Sequence, residues 1–299
     1  MVANMKKVND AIILAGGSGT RMLPASSYTC KEVLPLIDTP ILNHLIWEAC
    51  KSQVENIHIV ISPIKNNIIK NSRPLNGAFK NLNVRNDLPQ NALIPLPEDV
   101  KVIFHEQKIP GGIGHALKIA LTSINGPFLV LLGDNLLMDE HPSLIQTGID
   151  RASNGCKKLV DFYEKNEIPC AGIIKVEDEN LEKYGVVKFD NKKIIKIIEK
   201  PSIIDAPSNY VLCGRYLLDI NVKELLEKYK LEKYGEMQSI AIFDHLINNS
   251  GFGAVKLDGF KMYDSGDPIA WLKSQIDHAL RREDLQTDFT EWIKNRLTE

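Results

Sequence analysis

The sequence predicts a three-layer α/β fold with a mixed, mostly parallel central sheet. Three observations carry that prediction. Strand-like apolar runs alternate with helical stripes through the first half of the chain. The second half changes to short strands separated by turns, and residues 268–297 then carry two helical patterns. At 299 residues and 44% hydrophobic content, the chain can bury a sizeable core as one large domain or a domain with appendages.

Each element has its own local signal. Ala11–Ala15 reads as a buried strand. Ile41, Leu42, Leu45, Ile46 and Ala49 form a helical stripe, with Pro40 at its start and Thr39 as the expected N-cap. Further strands are read at Asn56–Ser62, Val100–Glu106 and Pro127–Asn135, and a helix opens at Gly112 between the last two. "CAGIIKV", "YGVVKF", "KIIKIIEK" and "NYVLCGRYLL" supply the later strands. In the C-terminal helices Ile269, Leu272, Ile276, Ala279 and Leu280 share one face, expected to pack on the body or on a partner subunit. Residues 72–99 read as an irregular insertion.

Charge and composition narrow the function. A net charge of -2 argues against general nucleic-acid binding, which needs a basic surface. The five cysteines are odd in number, scattered and never spaced C-x-x-C, so neither a disulfide framework nor a zinc site is expected. The seven histidines form no ligand cluster, and any metal is expected to be a hard cation on carboxylates and phosphates. The apolar run Ala11–Ala15 is too short for a signal-peptide core and no stretch reaches membrane-spanning length. The expectation is a cytoplasmic protein with no membrane partner.

The stretch "AIILAGGSGTRMLP" runs from a strand straight into glycines. A Walker A loop is ruled out because Thr20 and Arg21, not Lys and Ser/Thr, follow Gly19. A dinucleotide fingerprint fails at its third glycine, where Met22 stands, and Pro24 opposes a long helix there. A loop remains whose backbone N–H groups can approach a ligand, with Arg21 as a phosphate fork; a plain structural turn stays open on the glycines alone.

The wider motif set decides between those two. "GGSGTRMLPASSYTCKEVLPLIDTPIL" resembles the opening of the sugar-1-phosphate nucleotidyltransferases: a G-x-G-T-R loop, then Lys31 ahead of Leu34-Pro35 and Asp38-Thr39-Pro40. "GGIGHAL", "LLGDN", "YGVV", "IEKP", "APSNYVLCGRYLL" and "YDSGDP" follow in the family's order, so the resemblance covers roughly residues 8–281. Within the family the bacterial UTP–glucose-1-phosphate uridylyltransferase branch is the more similar. "GGSG", "GDN", "YDSG" and Ser27, where that branch usually has lysine, depart from it.

The resemblance implies a Rossmann-like nucleotidyltransferase fold. Residues 1–265 would be the nucleotidyltransferase domain, with a nucleotide-binding half near 8–140 and a sugar-phosphate half near 141–265, followed by a helical segment at 266–299. It implies in-line attack by glucose 1-phosphate on the α-phosphorus of UTP, with Mg²⁺ as cofactor and a homo-oligomer, dimer or tetramer, as the assembly. Arg21 would grip the β/γ-phosphates, Lys31 the α-phosphate and Lys200 the sugar phosphate, although an isolated lysine is usually a solvated surface charge. Leu14, Ala15, Gly16, Gly17, Gly19, Thr20, Gln107, Gly112 and Asp134 would bind the nucleotide. Gly185, Glu199 and Lys200 would bind the sugar phosphate, and Asp134 and Asp264 the metal. Asp267 reads instead as the N-cap before Pro268, and His115 as structural. The alternatives are a thymidylyltransferase acting on the same sugar phosphate and a non-catalytic regulatory subunit. The mark of the latter would be loss of Arg21, Lys31, Asp134, Lys200 or Asp264, and all are present.

Overall fold

The computed structural model describes residues 7–65, 99–146, 148–228 and 239–298. The expected insertion at 72–99 lies outside the described residues, save for Asp99. The first half contains β1 (Asp10–Ala15), β2 (Pro35–Leu36), β3 (Thr39–Pro40), β4 (Asn56–Ile61), β5 (Lys101–Glu106), β6 (Phe128–Leu132) and β7 (Asn135–Met138). The second contains β8 (Cys170–Lys175), β9 (Gly185–Asp190), β10 (Lys193–Glu199), β11 (Tyr210–Leu218), β12 (Gly253–Lys256) and β13 (Lys261–Asp264). The helices are α1 (Ala25–Tyr28), α2 (Ile41–Lys51), α3 (Gly112–Ala120), α4 (Gly155–Asn166), α5 (Val222–Lys228), α6 (Ser239–Asn248), α7 (Pro268–Arg281) and α8 (Gln286–Thr298).

Nine strands form one sheet in the order β5-β4-β1-β6-β11-β8-β12-β10-β9. Alternation along β1 shows how it fills both faces. Ala11, Ile13 and Ala15 enter the core beneath α2 and α4, while Ile12 enters the core beneath α3, α5 and α6. The three expected layers therefore form around a sheet buried on both sides. "Mostly parallel" is corrected: the sheet is mixed. The β5-β4-β1-β6 block and the β8–β12 pair are parallel, but β11 runs antiparallel to β6, β8 and β9, and β10 to both of its neighbours. A helix between strands returns the chain to the same edge and gives parallel neighbours. The turn at Asn191–Lys192, both at positive φ, reverses the chain and gives an antiparallel pair.

Two local expectations also change. The run Pro127–Asn135 is not one strand, because β6 stops at Leu132 and the chain turns through Gly133 and Asp134. It then leaves the sheet as β7 and pairs with β13, setting Asp264 opposite Asn135. Thr39 does not cap α2: it belongs to the β2–β3 ribbon, its hydroxyl donates to Asp38, and Pro40 occupies the N-cap position. Asp267 caps α7 as expected, accepting from the Ile269 and Ala270 N–H groups. All five cysteines are buried and unpaired.

A buried ion pair crosses the core on the α2 side. Arg215 of β11 donates to both Glu48 oxygens at 2.9 and 2.8 Å, and also to the Gly214 and Asn135 carbonyls. Glu48 Oε1 further accepts from the Cys156 N–H at the start of α4. At the other end of α2 the face of α7 turned to the body is polar: Ser274 and His278 are buried there, while Ile269, Leu272 and Leu280 are exposed. Of the expected apolar stripe only Ala279 is buried against the body, because α7 is held by hydrogen bonds. Gln275 accepts from the Ile37 N–H and donates to the Pro35 carbonyl, both at 2.6 Å.

Two measurements follow. Arg215→Met leaves Glu48 buried without a cation and should cost about 3–5 kcal/mol in urea unfolding; adding Glu48→Leu should recover most of that loss. The half-buried His44 and the buried His278 are both held below the ordinary histidine range. Burial and then Arg282 push His44 down to about 4, while burial followed by His44, His141 and Arg282 pushes His278 down to about 3. The unfolded chain, with ordinary histidines near 6.5, then binds more protons than the native one below that pH. Stability should therefore fall as pH drops from about 6.5 toward 4, and His278→Leu should flatten that slope in unfolding titrations.

Candidate active site

The parallel block brings its carboxyl ends to one edge, where an α/β sheet binds ligands. β1 leads into Gly16, β5 into Gln107 and β6 into Asp134, so these residues stand side by side along that edge. β1 and β6 approach so closely there that a Cβ on Gly133 would stand 2.5 Å from the Leu14 carbonyl oxygen. The Gly133 N–H donates to that oxygen at 3.0 Å.

After Ala15 the glycine loop passes exposed Gly17 and a left-handed Gly19 (φ 70°), then tightens into a single turn at Thr20–Met22. No long helix follows, as Pro24 predicts; the chain makes only the one-turn α1. On one side of the loop Gln107, buried, donates Nε2 to the Gly112 carbonyl at 3.1 Å. A Cβ on Gly16 would stand 2.8 Å from Gln107 Oε1, so only glycine leaves that amide in place. Gly112 has φ 80°, and its helix lifts His115 to within 3.3 Å of Gln107 Nε2 and 3.1 Å of the Ile109 carbonyl. His115 thus braces Gln107, in agreement with a structural reading.

On the other side the charged groups converge. Lys31, 8% exposed, places Nζ 2.6 Å from Asp134 Oδ2. Burial alone would raise the Asp134 carboxyl, but Lys31 and, more weakly, Arg21 outweigh it and hold it below the usual carboxylate range. Asp264 arrives through the β7–β13 register and accepts from the Gly266 N–H at 2.6 Å. Burial, with the negative charge of Asp134 adding to it, raises the Asp264 carboxyl, while the Gly266 N–H and Arg21 oppose the rise. Arg21 crosses over Gly266, where a Cβ would stand 2.7 Å from Nη2. Asp134 and Asp264 offer carboxylate oxygens, a donor type that suits a hard divalent cation with phosphate and water oxygens. Among the described residues no cluster of three or more His, Cys, Asp or Glu forms a metal cage by itself.

The third group sits on the β9–β10 hairpin. Gly185 lies opposite Glu199, and a Cβ on it would stand 3.1 Å from Glu199 Oε2. Lys200 follows in a left-handed conformation (φ 47°), fixed by its N–H on the Tyr184 carbonyl at 3.0 Å. The Lys200 and Glu199 side chains are exposed. Burial, and then the negative charges of Asp264 and Asp267, raise the phenol of Tyr184, which directly precedes this hairpin.

The structure therefore brings Gly16, Gln107 and Gly112 together, gathers Lys31, Asp134, Asp264 and Arg21, and sets Gly185, Glu199 and Lys200 on one hairpin. Reading motifs alone misses Gly133, Gly266 and Asn135, whose roles are steric or backbone-borne. Arg215 carries a signal that could have been used, a charge inside the apolar run "VLCGRYLL".

The sequence model described as "Nucleotidyl transferase" matches residues 10–277. The chain belongs to the nucleotidyl transferase family. This nucleotidyl transferase is 31% identical over 296 residues to "UTP--glucose-1-phosphate uridylyltransferase 2" of Streptococcus pyogenes, spanning 97% of this chain and 96% of that protein. It is also 31% identical over 303 residues to "UTP--glucose-1-phosphate uridylyltransferase 1" of Staphylococcus saprophyticus, spanning 97% and 99%. Its fold superposes on a UDP-glucose pyrophosphorylase from Acinetobacter baumannii with a TM-score of 0.79 at 25% identity, covering 97% of this chain and 99% of the other. A UDP-glucose pyrophosphorylase complexed with UDP-glucose gives 0.74 at 27% identity, covering 91% and 98%. Among the described residues of this nucleotidyl transferase no helix is long and apolar enough to cross a membrane.

The Lys31–Asp134 contact yields a direct test. In Lys31→Met, burial is opposed more weakly and the Asp134 carboxyl should titrate higher than in the parent, read by carbon NMR of that carboxyl. An unchanged titration would show that Lys31 does not hold it.

Proposed function

We propose that this nucleotidyl transferase moves a uridylyl group from UTP to glucose 1-phosphate, giving UDP-glucose and pyrophosphate. The observation that carries the reading is the Lys31–Asp134 contact beside Asp264 at the strand ends, in a chain matched over nearly its whole length by named uridylyltransferases. Two polyanions must meet for this reaction, so neutralising and aligning phosphate oxygens is the main task. Arg21 and the glycine loop (Leu14, Ala15, Gly16, Gly17, Gly19, Thr20) bind the triphosphate and draw charge from the departing β/γ-phosphates. Lys31 bears on the α-phosphate. Gln107, with Gly112 leaving room, reads the pyrimidine edge. Lys200 holds the incoming sugar phosphate, Glu199 accepts from sugar hydroxyls, and Gly185 leaves space for the ring. The sugar-phosphate oxygen attacks the α-phosphorus in line with the departing pyrophosphate, and no enzyme nucleophile takes part.

Mg²⁺ on Asp134 and Asp264 would add positive charge at the reacting phosphates. The carboxylate oxygens of Asp134 and Asp264, brought to one edge by the β7–β13 pairing, support this, since hard divalent cations take oxygen ligands. The division into a nucleotide half near 8–140, a sugar-phosphate half near 141–265 and a helical segment at 266–299 belongs to the same reading. So do a cytoplasmic setting and assembly into a homo-oligomer. The exposed Ile269, Leu272 and Leu280 on α7 support the last of these.

Thymidylyl transfer is the less supported alternative, as the relatives matched at full length carry the uridylyl name. Pyrophosphate release across UTP, dTTP, CTP, ATP and GTP, each with several sugar 1-phosphates and Mg²⁺, should be fastest with UTP and glucose 1-phosphate. Release with dTTP alone would transfer the assignment to thymidylyl transfer, and no release with any pair would overturn the enzymatic reading. Lys200→Ala should raise the glucose 1-phosphate KM at least tenfold while the UTP KM changes less than about threefold.

A further inference from the structure

Beneath the site lies a buried ion pair that the proposed chemistry does not use. Glu32 and Lys65 are 1% and 4% exposed. Lys65 Nζ donates to both Glu32 oxygens at 2.9 Å and to the Ala15 carbonyl at 3.1 Å, which occupies all three ammonium donors. Each partner stands next to a site group. Ala15 precedes Gly16, and Glu32 follows Lys31. The Ala15 carbonyl lies past the end of the β1–β6 register, which stops at Leu14–Leu132, and Lys65 takes it up from the turn after β4. A buried ion pair contributes little to stability compared with apolar residues of similar volume, so stability alone does not account for this one.

We infer that Glu32 and Lys65 form a positioning clamp that fixes the glycine loop relative to Lys31 and thereby sets the in-line alignment of the triphosphate. The clamp rests on the uridylyltransferase reading of the site for its consequence in catalysis, though not for its geometry. Its three bonds tie the root of the loop that carries Arg21 to the turn that carries Lys31, which in turn touches Asp134. Without it the two phosphate-facing segments shift against each other, and displacements of about 1 Å can cost about 100-fold in rate. Neither residue touches the ligand; both act through Ala15 and Lys31.

Single substitutions leave one charge buried and alone, so the deciding variant is Glu32→Leu/Lys65→Met, which removes both charges and keeps the volume. Circular dichroism should show a folded protein with a melting temperature near that of the parent. Its kcat should fall at least about tenfold and its UTP KM should rise, while its glucose 1-phosphate KM stays within about twofold. Hydrogen exchange should quicken at residues 16–23 and 31–34 and stay unchanged in α5 and β12. A folded double variant with parental kcat, or with parental exchange in both segments, would overturn the clamp. If that variant does not fold, Glu32→Gln/Lys65→Met, which also leaves no lone buried charge, carries the same comparison, with the same result required. A parent protein that forms no UDP-glucose would defeat the uridylyltransferase reading alone, and the exchange rates would then decide the clamp.

Discussion

One guanidinium ties β11 to α2 and to the start of β7. Arg215 lies fully buried on β11, the strand at which the parallel block gives way to antiparallel pairing. Burial disfavours its charge, but Glu48 outweighs that and keeps it protonated well above the ordinary arginine value. Its donors reach α2 through Glu48, its own strand through Gly214, and the start of β7 through the Asn135 carbonyl. Asn135 adjoins Asp134 and is the register partner of Asp264. The placement of both carboxylates at the strand ends therefore inherits its rigidity from an ion pair in the core. Removing two charges from water is expensive, and only a fully bonded fork such as this one offsets it.

A second set of contacts steadies the opposite side of the site. Arg282 bridges Asp38 and Asp284, while Gln275 grips the backbone of the β2–β3 ribbon at Ile37 and Pro35. That ribbon follows directly on the Lys31 turn, so Lys31 is backed by Glu32 and Lys65 from below and by α7 from behind. The groups read as phosphate ligands are thus of two kinds. Lys31 is buried and paired with Asp134, whereas Arg21 and Lys200 are exposed.

The parts of this structure legible in the sequence are those written in contiguous residues. Contiguous strand-like runs give β1 and β4, a helical stripe gives α2, and Pro24 after the glycines marks a loop that avoids a long helix. Pairing order is not written locally, since the apolar run of β11 looks the same whether its neighbours run parallel or antiparallel. The break at Gly133–Asp134 was hidden because leucines flank it on both sides. On α7 the apolar stripe pointed away from the body, since docking there uses Ser274, Gln275 and His278, which a hydrophobic pattern does not count. Glu32 and Lys65 stand 33 positions apart, and nothing in either neighbourhood names the other.

The crossing of Arg21 over Gly266 has a consequence for how the chain acquires its site. The two residues are drawn from opposite ends of the described chain, and Asp264 and Asp134 likewise meet through a ribbon whose strands are far apart in sequence. Contacts of such long separation bear the largest loop-closure entropy and form late. A nascent chain can complete the parallel block, and with it much of its core, while the carboxyl-end edge of the sheet is still missing one of its walls. The edge that gathers Arg21, Lys31, Asp134 and Asp264 is complete only when the segment carrying Asp264 and Gly266 has docked, so its assembly marks the completion of folding rather than its onset.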